Sequence, residues 1–156
     1  MIGWAKPTPV NPRNFKKLMK YDILTSVAGP VSNMLVALAA LILMVVLARV
    51  PGGRTALWDP ENAGGSILVP IMALLFSTIV INVILAVFNL IPVPPLDGSH
   101  VIRHFLRGSA LTVYDNVGRF GILILFVISW QTGLIVSLYR PPLTLMVLIL
   151  RALTSS

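Results

Sequence analysis

A run of 35 residues, 62–96, contains no charged side chain, and the carboxylate of Asp97 follows it directly. A spanning helix needs about 20 apolar residues to cross roughly 30 Å of hydrocarbon. Three runs are long enough: residues 24–48, 67–91 and 120–139. Hydrophobic residues make up 56% of the chain and charged residues 11%, whereas soluble domains average about 45–50% and about 25%. The sequence therefore predicts an integral membrane protein, an all-α, multi-pass bundle with three spanning helices.

The remaining segments of this single membrane domain are expected at its surface. They are a proline-rich, basic N-terminal loop over residues 1–23, a basic amphipathic helix over 98–107 and a short apolar tail over 141–156. The apolar part of the tail, residues 143–150, is too short to span. We expect it to be an interfacial or re-entrant helix, with a broken extension of the third helix as the alternative.

Lysine and arginine residues predict the orientation, because cytoplasmic segments carry the excess. Five of them precede the first span and three follow the second, which predicts a cytoplasmic N-terminus and an external C-terminus. The net charge is +7, but the basic residues flank apolar runs. This distribution indicates anchoring to the lipid bilayer and no nucleic-acid partner. The chain has no cysteine, which leaves its redox compartment open.

The prolines after the second span place Asp97 in an unusual position. Pro92, Pro94 and Pro95 lack backbone donors and clash with a preceding helical turn, so the helix must end there. We expect an extended chain whose freed carbonyls need partners. A carboxylate at this position in a membrane protein is interpreted by default as part of a functional site. It could equally be the N-cap of the next helix, and the residues alone leave both interpretations open.

Two other polar groups lie within the spans. Asn89 follows Asn82 by seven residues on the same helix face, and a buried amide usually hydrogen-bonds to a neighbouring helix, which we expect for Asn82. The first span begins with the small-residue segment 26–33. There Pro30 should kink the helix, and small residues allow close approach of another backbone.

His100 and His104 are the only histidines, and their spacing places both imidazoles on one helix face, as a metal site requires. Two features argue against a metal. Val101 stands where a general-base glutamate would be, and the same face carries Arg103 and Arg107. We favour a basic amphipathic helix at the membrane surface and keep metal binding by the pair as the alternative.

Three segments resemble one family. The pattern Asn-x-x-Pro-x-x-x-Leu-Asp-Gly at Asn89–Gly98 resembles the second signature of the site-2 proteases, which are intramembrane zinc metalloproteases. The Ala-Gly-Pro-x-x-Asn pattern at Ala28–Asn33 resembles a scaffold signature in a helix packed against the catalytic one. Gly3–Pro12 is similar to a loop of compact microbial members. The resemblance implies a bacterial or archaeal cell membrane.

The resemblance also implies a site. It makes Asp97 a Zn²⁺ ligand and Asn89 an active-site amide that positions the substrate carbonyl or the oxyanion. In the family, two histidines complete the ligand set, and the glutamate of a His-Glu-x-x-His motif is the general base. That motif does not occur in the 156 residues. One carboxylate cannot form a zinc site, which takes three or four protein ligands.

We therefore expect the chain as given to be catalytically incompetent and to be the C-terminal part of a metallopeptidase that would hydrolyse transmembrane peptide bonds when complete. Truncation, with Met1 an interior methionine, is the economical explanation. The expected partners are a transmembrane protein substrate or the missing N-terminal catalytic helices. The alternatives are a non-catalytic pseudoprotease that binds helices and, ranked last, a small transporter or channel subunit with Asp97 as an ion site.

Overall fold

The computed structural model of the protein describes residues 15–118 and 120–154, and these ranges contain no strand. The similarity noted at residues 3–12 lies outside the described residues. The helices, in chain order, are α1 Phe15–Ala48, α2 Gly53–Trp58, α3 Leu68–Asn89, α4 Gly98–Arg103, α5 Ser109–Gly118, α6 Gly121–Thr132 and α7 Leu134–Thr154. The predicted all-α fold is confirmed.

The core lies between α1, α3 and α7. Along α1, small side chains such as Ala37 and Ala40 alternate with Met44, and all three are buried. They face Ile79 and Val83 of α3, which are also buried. Small residues let two helix backbones approach closely, and this packing holds helices together where lipid offers no hydrophobic driving force. From α7, Met146 and Leu150 complete the same cluster.

Many large apolar side chains point outward instead, on α1, α3, α6 and α7. By length and composition, α1, α3 and α7 are each able to cross a membrane, and α5 with α6 forms a fourth candidate bent by 71°. Exposed apolar surface of this extent belongs in lipid, since a soluble protein rarely exposes a continuous apolar patch. The chain is therefore an integral membrane protein.

Helix α1 begins nine residues before the predicted first span. Residues 15–23, which we expected in a loop, are helical, because this stretch contains neither proline nor glycine and holds good helix formers. The helix also continues through Pro30. Within the same helix, the hydroxyl of Ser26 donates a hydrogen bond to the Asp22 backbone carbonyl at 2.9 Å.

The predicted third span, 120–139, does not form one helix. Gly133 ends α6 in the left-handed conformation, with φ 65°, a common helix-ending position for glycine. The chain then continues as α7, a helix of 21 residues that includes Pro141 and Pro142. The apolar tail is thus part of a long helix rather than a short one. Packing of Tyr139 and the residues after it against the core outweighs the cost of the prolines.

The helix termini cluster at two opposite ends of the molecule. The Asp97 end holds the first turns of α1, the last turn of α3, and α4. The Trp58 end holds the last turn of α1, α2, and the last turn of α7. The two ends are joined by α1, whose 34 residues extend about 51 Å at 1.5 Å per residue.

Candidate functional site

The segment between α3 and α4 folds into successive tight turns. We expected an extended chain here, but backbone hydrogen bonds join Val93 N–H to the Ile91 carbonyl and Leu96 N–H to the Val93 carbonyl, each at 2.9 Å. The peptide bond between Pro94 and Pro95 is cis. Leu96 is buried. The turns shorten the path between the two helices and lead the chain back to the end of α3.

At Gly98 the backbone packs against the residues that follow α3. A Cβ added there would lie 2.4 Å from the Leu90 carbonyl oxygen and 2.8 Å from that of Ile91. No side chain fits at such a distance, so glycine is required for the close approach of the two backbones. The preceding residue, Asp97, is thereby brought to the end of α3, where Asn89 is the last helical residue.

The carboxylate of Asp97 is not used as a helix cap. It precedes α4, but its backbone is helical, with φ −57° and ψ −37°, and its side chain makes no capping hydrogen bond. A capping aspartate normally has an extended backbone and accepts from the helix N–H groups. Asp97 thus stands at the N-cap position of α4, but its side chain does not cap the helix. Within residues 15–118 and 120–154, the carboxylate also has no ion-pair partner.

Instead, the Asp97 carboxylate faces α1 at Gly29. A Cβ added to Gly29 would lie 2.9 Å from Asp97 Oδ2. The glycine of the Ala28-Gly29-Pro30 segment thus leaves the space into which the carboxylate fits. The two segments that resemble family signatures, far apart in the sequence, meet at this contact.

Two turns nearer the start of α1, a carboxylate and two imidazoles join α1 to α4 and to the residue that follows it. Asp22 Oδ2 lies 2.9 Å from His104 Nε2 and 3.4 Å from His100 Nδ1. Asp22, Ser26 and Gly29 follow one face of α1 at helical spacing. Across from them lie Asp97 and the two histidines, also at helical spacing, and we call the Asp22 contacts the Asp22–histidine clamp.

The clamp is a hydrogen-bonded contact rather than a metal site. A zinc ion with nitrogen and oxygen ligands about 2.0–2.1 Å away in tetrahedral geometry separates them by roughly 3.3 Å. At 2.9 Å the His104 nitrogen bonds to the carboxylate directly. In the described part of the chain, no three His, Cys, Asp or Glu side chains form a group that could hold a metal. Helix α4 is also shorter than predicted, since it ends at Arg103.

The two span asparagines behave differently from each other. The Asn82 side chain donates to the Thr78 carbonyl at 2.8 Å, within its own helix instead of to a neighbour as we expected. Asn89 is partly buried at the last position of α3. Its role as an active-site amide stays a prediction.

Helix α5 supports the proline turns from outside. The Tyr114 hydroxyl lies 2.8 Å from the Pro92 carbonyl and 3.4 Å from the Ser99 carbonyl. The expectation that carbonyls freed by the prolines need partners is confirmed for Pro92. Arg103 of α4 pairs with Asp115 of α5 at 2.8 Å, so α4 is attached to α5 as well as to α1.

Comparison with known proteins decides the family. The profile of peptidase family M50 matches residues 11–129, which include both the Gly29 and the Asp97 segments. The chain belongs to peptidase family M50. It is 34% identical over 130 residues to the Bacillus subtilis (strain 168) protein named "Putative zinc metalloprotease YwhC", a match that covers 81% of this chain. No solved structure matches the chain significantly.

Membership of M50, the site-2 protease family, confirms the resemblance found in the sequence and makes Zn²⁺ the metal to consider. The chain spans 55% of the length of its Bacillus relative. Among the described residues, Asp97 is the one carboxylate at the contact of the two signature segments. It supplies a single metal-ligating side chain. The described residues therefore do not fit a zinc ion without further ligands.

Sequence reasoning missed the partners of the site. The sequence analysis assigned no role to Asp22, yet its carboxylate contacts both histidines. A signal was available in outline, because two histidines at helical spacing can share one acceptor and Asp22 is one of the few carboxylates near the end of a span. Tyr114 left no signal, because its contact with Pro92 depends on how α5 turns back.

Proposed function

We propose that this chain provides the aspartate side of the metal centre of an intramembrane metallopeptidase, which hydrolyses peptide bonds of transmembrane segments. The observation that carries the proposal is the contact of Asp97 with Gly29. It leaves a partly buried carboxylate that is neither capping a helix nor paired with a cation in the described residues. An uncompensated acid at such a place in a membrane protein marks a functional site.

In this proposal the other metal ligands come from outside the described residues. His100 and His104 are unsuitable, because both contact Asp22. A zinc ion completed by histidines of another segment would supply Lewis-acid chemistry next to Asp97. The partner is then either a segment with the His-Glu-x-x-His motif in the same natural protein or another chain.

The residues of this chain would act by holding and orienting groups. Asp97 would hold the metal through its carboxylate, with Gly29 leaving room for it. Asn89, at the last turn of α3, would donate its amide N–H to the carbonyl of the peptide bond to be cleaved. A preorganised donor of this kind stabilises the negative charge that develops on that oxygen.

Metal content tests the proposal. In a protein that joins this chain to a segment with the His-Glu-x-x-His motif, as the proposal requires, we expect about one zinc per molecule by elemental analysis. Asp97→Asn should remove most of it, since an amide is a poor zinc ligand. Asp59→Asn, at the Trp58 end, is the matched control and should retain the metal. Equal zinc in the Asp97→Asn and unmodified proteins would show that Asp97 is not a ligand.

A second candidate function has one observation in its favour. An apolar groove of about 440 Å³ runs along α1 past Pro30 and is bordered by Leu90 and Met146. A non-catalytic member of the family could bind a transmembrane helix there. In that case, co-purification of a helix should survive Asp97→Asn and should be lost on Leu35→Asn, whereas a peptidase would lose zinc and activity with Asp97→Asn.

A further inference from the structure

The Trp58 end of the molecule carries three arginines around one tryptophan. Arg151 of α7 lies over the Trp58 ring, with its guanidinium carbon 5.4 Å from the ring centroid. The Trp58 indole N–H donates to the Thr154 hydroxyl at 3.2 Å. Arg49, just after α1, donates to the Leu153 carbonyl. These contacts attach the ends of α1, α2 and α7 to one another.

Two adjoining cavities meet at Trp58. The first, about 600 Å³, is lined by Arg54, Arg151 and Thr154 together with Trp58, and we call it the basic pocket. The second, about 410 Å³, is lined almost wholly by apolar side chains between α1, α3 and α7, and we call it the apolar cavity. Because Trp58 borders both, a charged compartment lies directly beside an apolar one.

The arginines of the basic pocket are not paired with carboxylates within the described residues. There, none of the three arginines forms an ion pair with a carboxylate. Asp59 follows Trp58 directly, but both of its oxygens accept from the Asn62 amide, at 3.1 and 2.9 Å. The pocket therefore offers guanidinium donors to an anion from outside the protein.

We propose that this end of the protein is a binding site for an anionic phospholipid. The lipid phosphate would bind to Arg54 and Arg151 in the basic pocket, and one acyl chain would enter the apolar cavity beside Trp58. Guanidinium groups suit phosphate because they can donate two parallel hydrogen bonds. An amphipathic ligand with one anionic end and one apolar end is the chemistry that matches both compartments.

The free energies of acyl-chain burial and of charge attraction indicate which lipids such a site should prefer. An acyl chain gains little by leaving the bilayer for the cavity, because lipid tails are as apolar as the side chains that line it. The preference must therefore come from charge at the basic pocket. A basic residue near a membrane surface contributes attraction worth about a fivefold change in affinity for an anionic lipid. Salt should weaken it, since exposed charges are screened.

Tryptophan fluorescence can measure this preference. In the full 156-residue chain with Trp4→Phe and Trp130→Phe, Trp58 is the single tryptophan and can be excited selectively. The chain is placed in phosphatidylcholine vesicles that contain brominated phosphatidylglycerol, or brominated phosphatidylcholine at the same mole fraction, and quenching is compared. We expect stronger quenching by the brominated anionic lipid, and we expect Arg54→Gln and Arg151→Gln each to reduce the excess about fivefold.

Two further variants separate the site from general attraction to charge. Arg107→Gln removes the same charge near α4 at the opposite end and should keep the excess quenching. Ala73→Leu places a larger side chain in the lining of the apolar cavity. It should reduce the excess for long-chain phosphatidylglycerol more than for a short-chain analogue.

Three outcomes would overturn the proposal. Equal quenching by the two brominated lipids would mean that Trp58 and the arginines are ordinary interfacial anchors. An excess that Arg107→Gln removes as effectively as Arg151→Gln would place the attraction elsewhere. Loss of the excess on adding millimolar inorganic phosphate at constant ionic strength would identify a free anion, rather than a lipid, as the ligand.

Discussion

The carboxylate of Asp97 occupies the space that a side chain at Gly29 would need, since a Cβ there would lie 2.9 Å from Oδ2. The contact joins helix α1 to the segment that follows α3. It gives a physical reason for a glycine inside α1, where alanine would otherwise be favoured. Four predictions concern this contact and the groups around it.

Gly29→Ala should separate stability from metal binding. Alanine is favoured over glycine in a helix by about 1 kcal/mol, and the short Asp97 side chain can rotate away from the added methyl group. We expect an unchanged or slightly higher free energy of unfolding in detergent. Under the proposed function, zinc affinity of the protein with the complete motif pair should fall about 10–100-fold. Ala28→Val, at the exposed neighbour, is the control, and an unaltered affinity in Gly29→Ala would contradict the geometry.

Gly98→Ala adds the same methyl group, but here it would collide with backbone atoms instead of with a side chain. The added Cβ would lie 2.4 Å from the Leu90 carbonyl oxygen, so the main chain itself must move. Forcing atoms into a packed site costs about 1–3 kcal/mol. Chemical denaturation in micelles should show that loss, with Gly29→Ala as the matched comparison. If both variants are equally stable, the chain does not return as closely to α3 as the structure shows.

Asp22→Ala should loosen α4 from α1. It removes the acceptor for His100 and His104, and a partly exposed hydrogen bond of this kind contributes about 1 kcal/mol. Hydrogen–deuterium exchange over residues 98–104 should become faster while exchange in the core of α3 is unaffected. Asp59→Ala removes an equal charge at the opposite end and should not alter exchange in α4. Protection of α4 that persists in Asp22→Ala would mean that the clamp is not what holds it.

Tyr114→Phe tests whether α5 supports the proline turns. The substitution leaves the Pro92 carbonyl without the hydroxyl that donates to it at 2.8 Å, which should lower the free energy of unfolding by about 1 kcal/mol. Tyr21→Phe is a matched control at an exposed residue of α1 and should have no measurable effect. Similar values for the two variants would exclude a supporting role for Tyr114.

The sequence predicted helix boundaries well where hydropathy and proline positions alone determine them. Helix α3 occupies nearly the predicted range, because an uncharged run ended by prolines leaves few alternatives. The prediction failed at Gly133, where one glycine ends a helix within an uncharged stretch, and at Pro141, where two prolines do not end one. Those outcomes depend on tertiary packing, which hydropathy does not report.

The candidate site shows the same division. Asp97 and Asn89 were singled out by chemistry and by resemblance, and their metal and substrate roles stay predictions. The space at Gly29 and the acceptor at Asp22 are contacts between distant parts of the chain. Neither could be found without knowing which faces of α1 and α4 meet.

The length of α1 has a consequence for how deep Asp97 can lie. Arg49 follows the helix at the Trp58 end, and an arginine at a span end anchors it at the lipid boundary. Gly29 lies 20 residues before Arg49, about 30 Å along the axis, which equals the thickness of the hydrocarbon. A perpendicular α1 would place Gly29, and with it the Asp97 carboxylate, about one hydrocarbon thickness from Arg49, whereas any tilt of the helix would place both deeper in the bilayer.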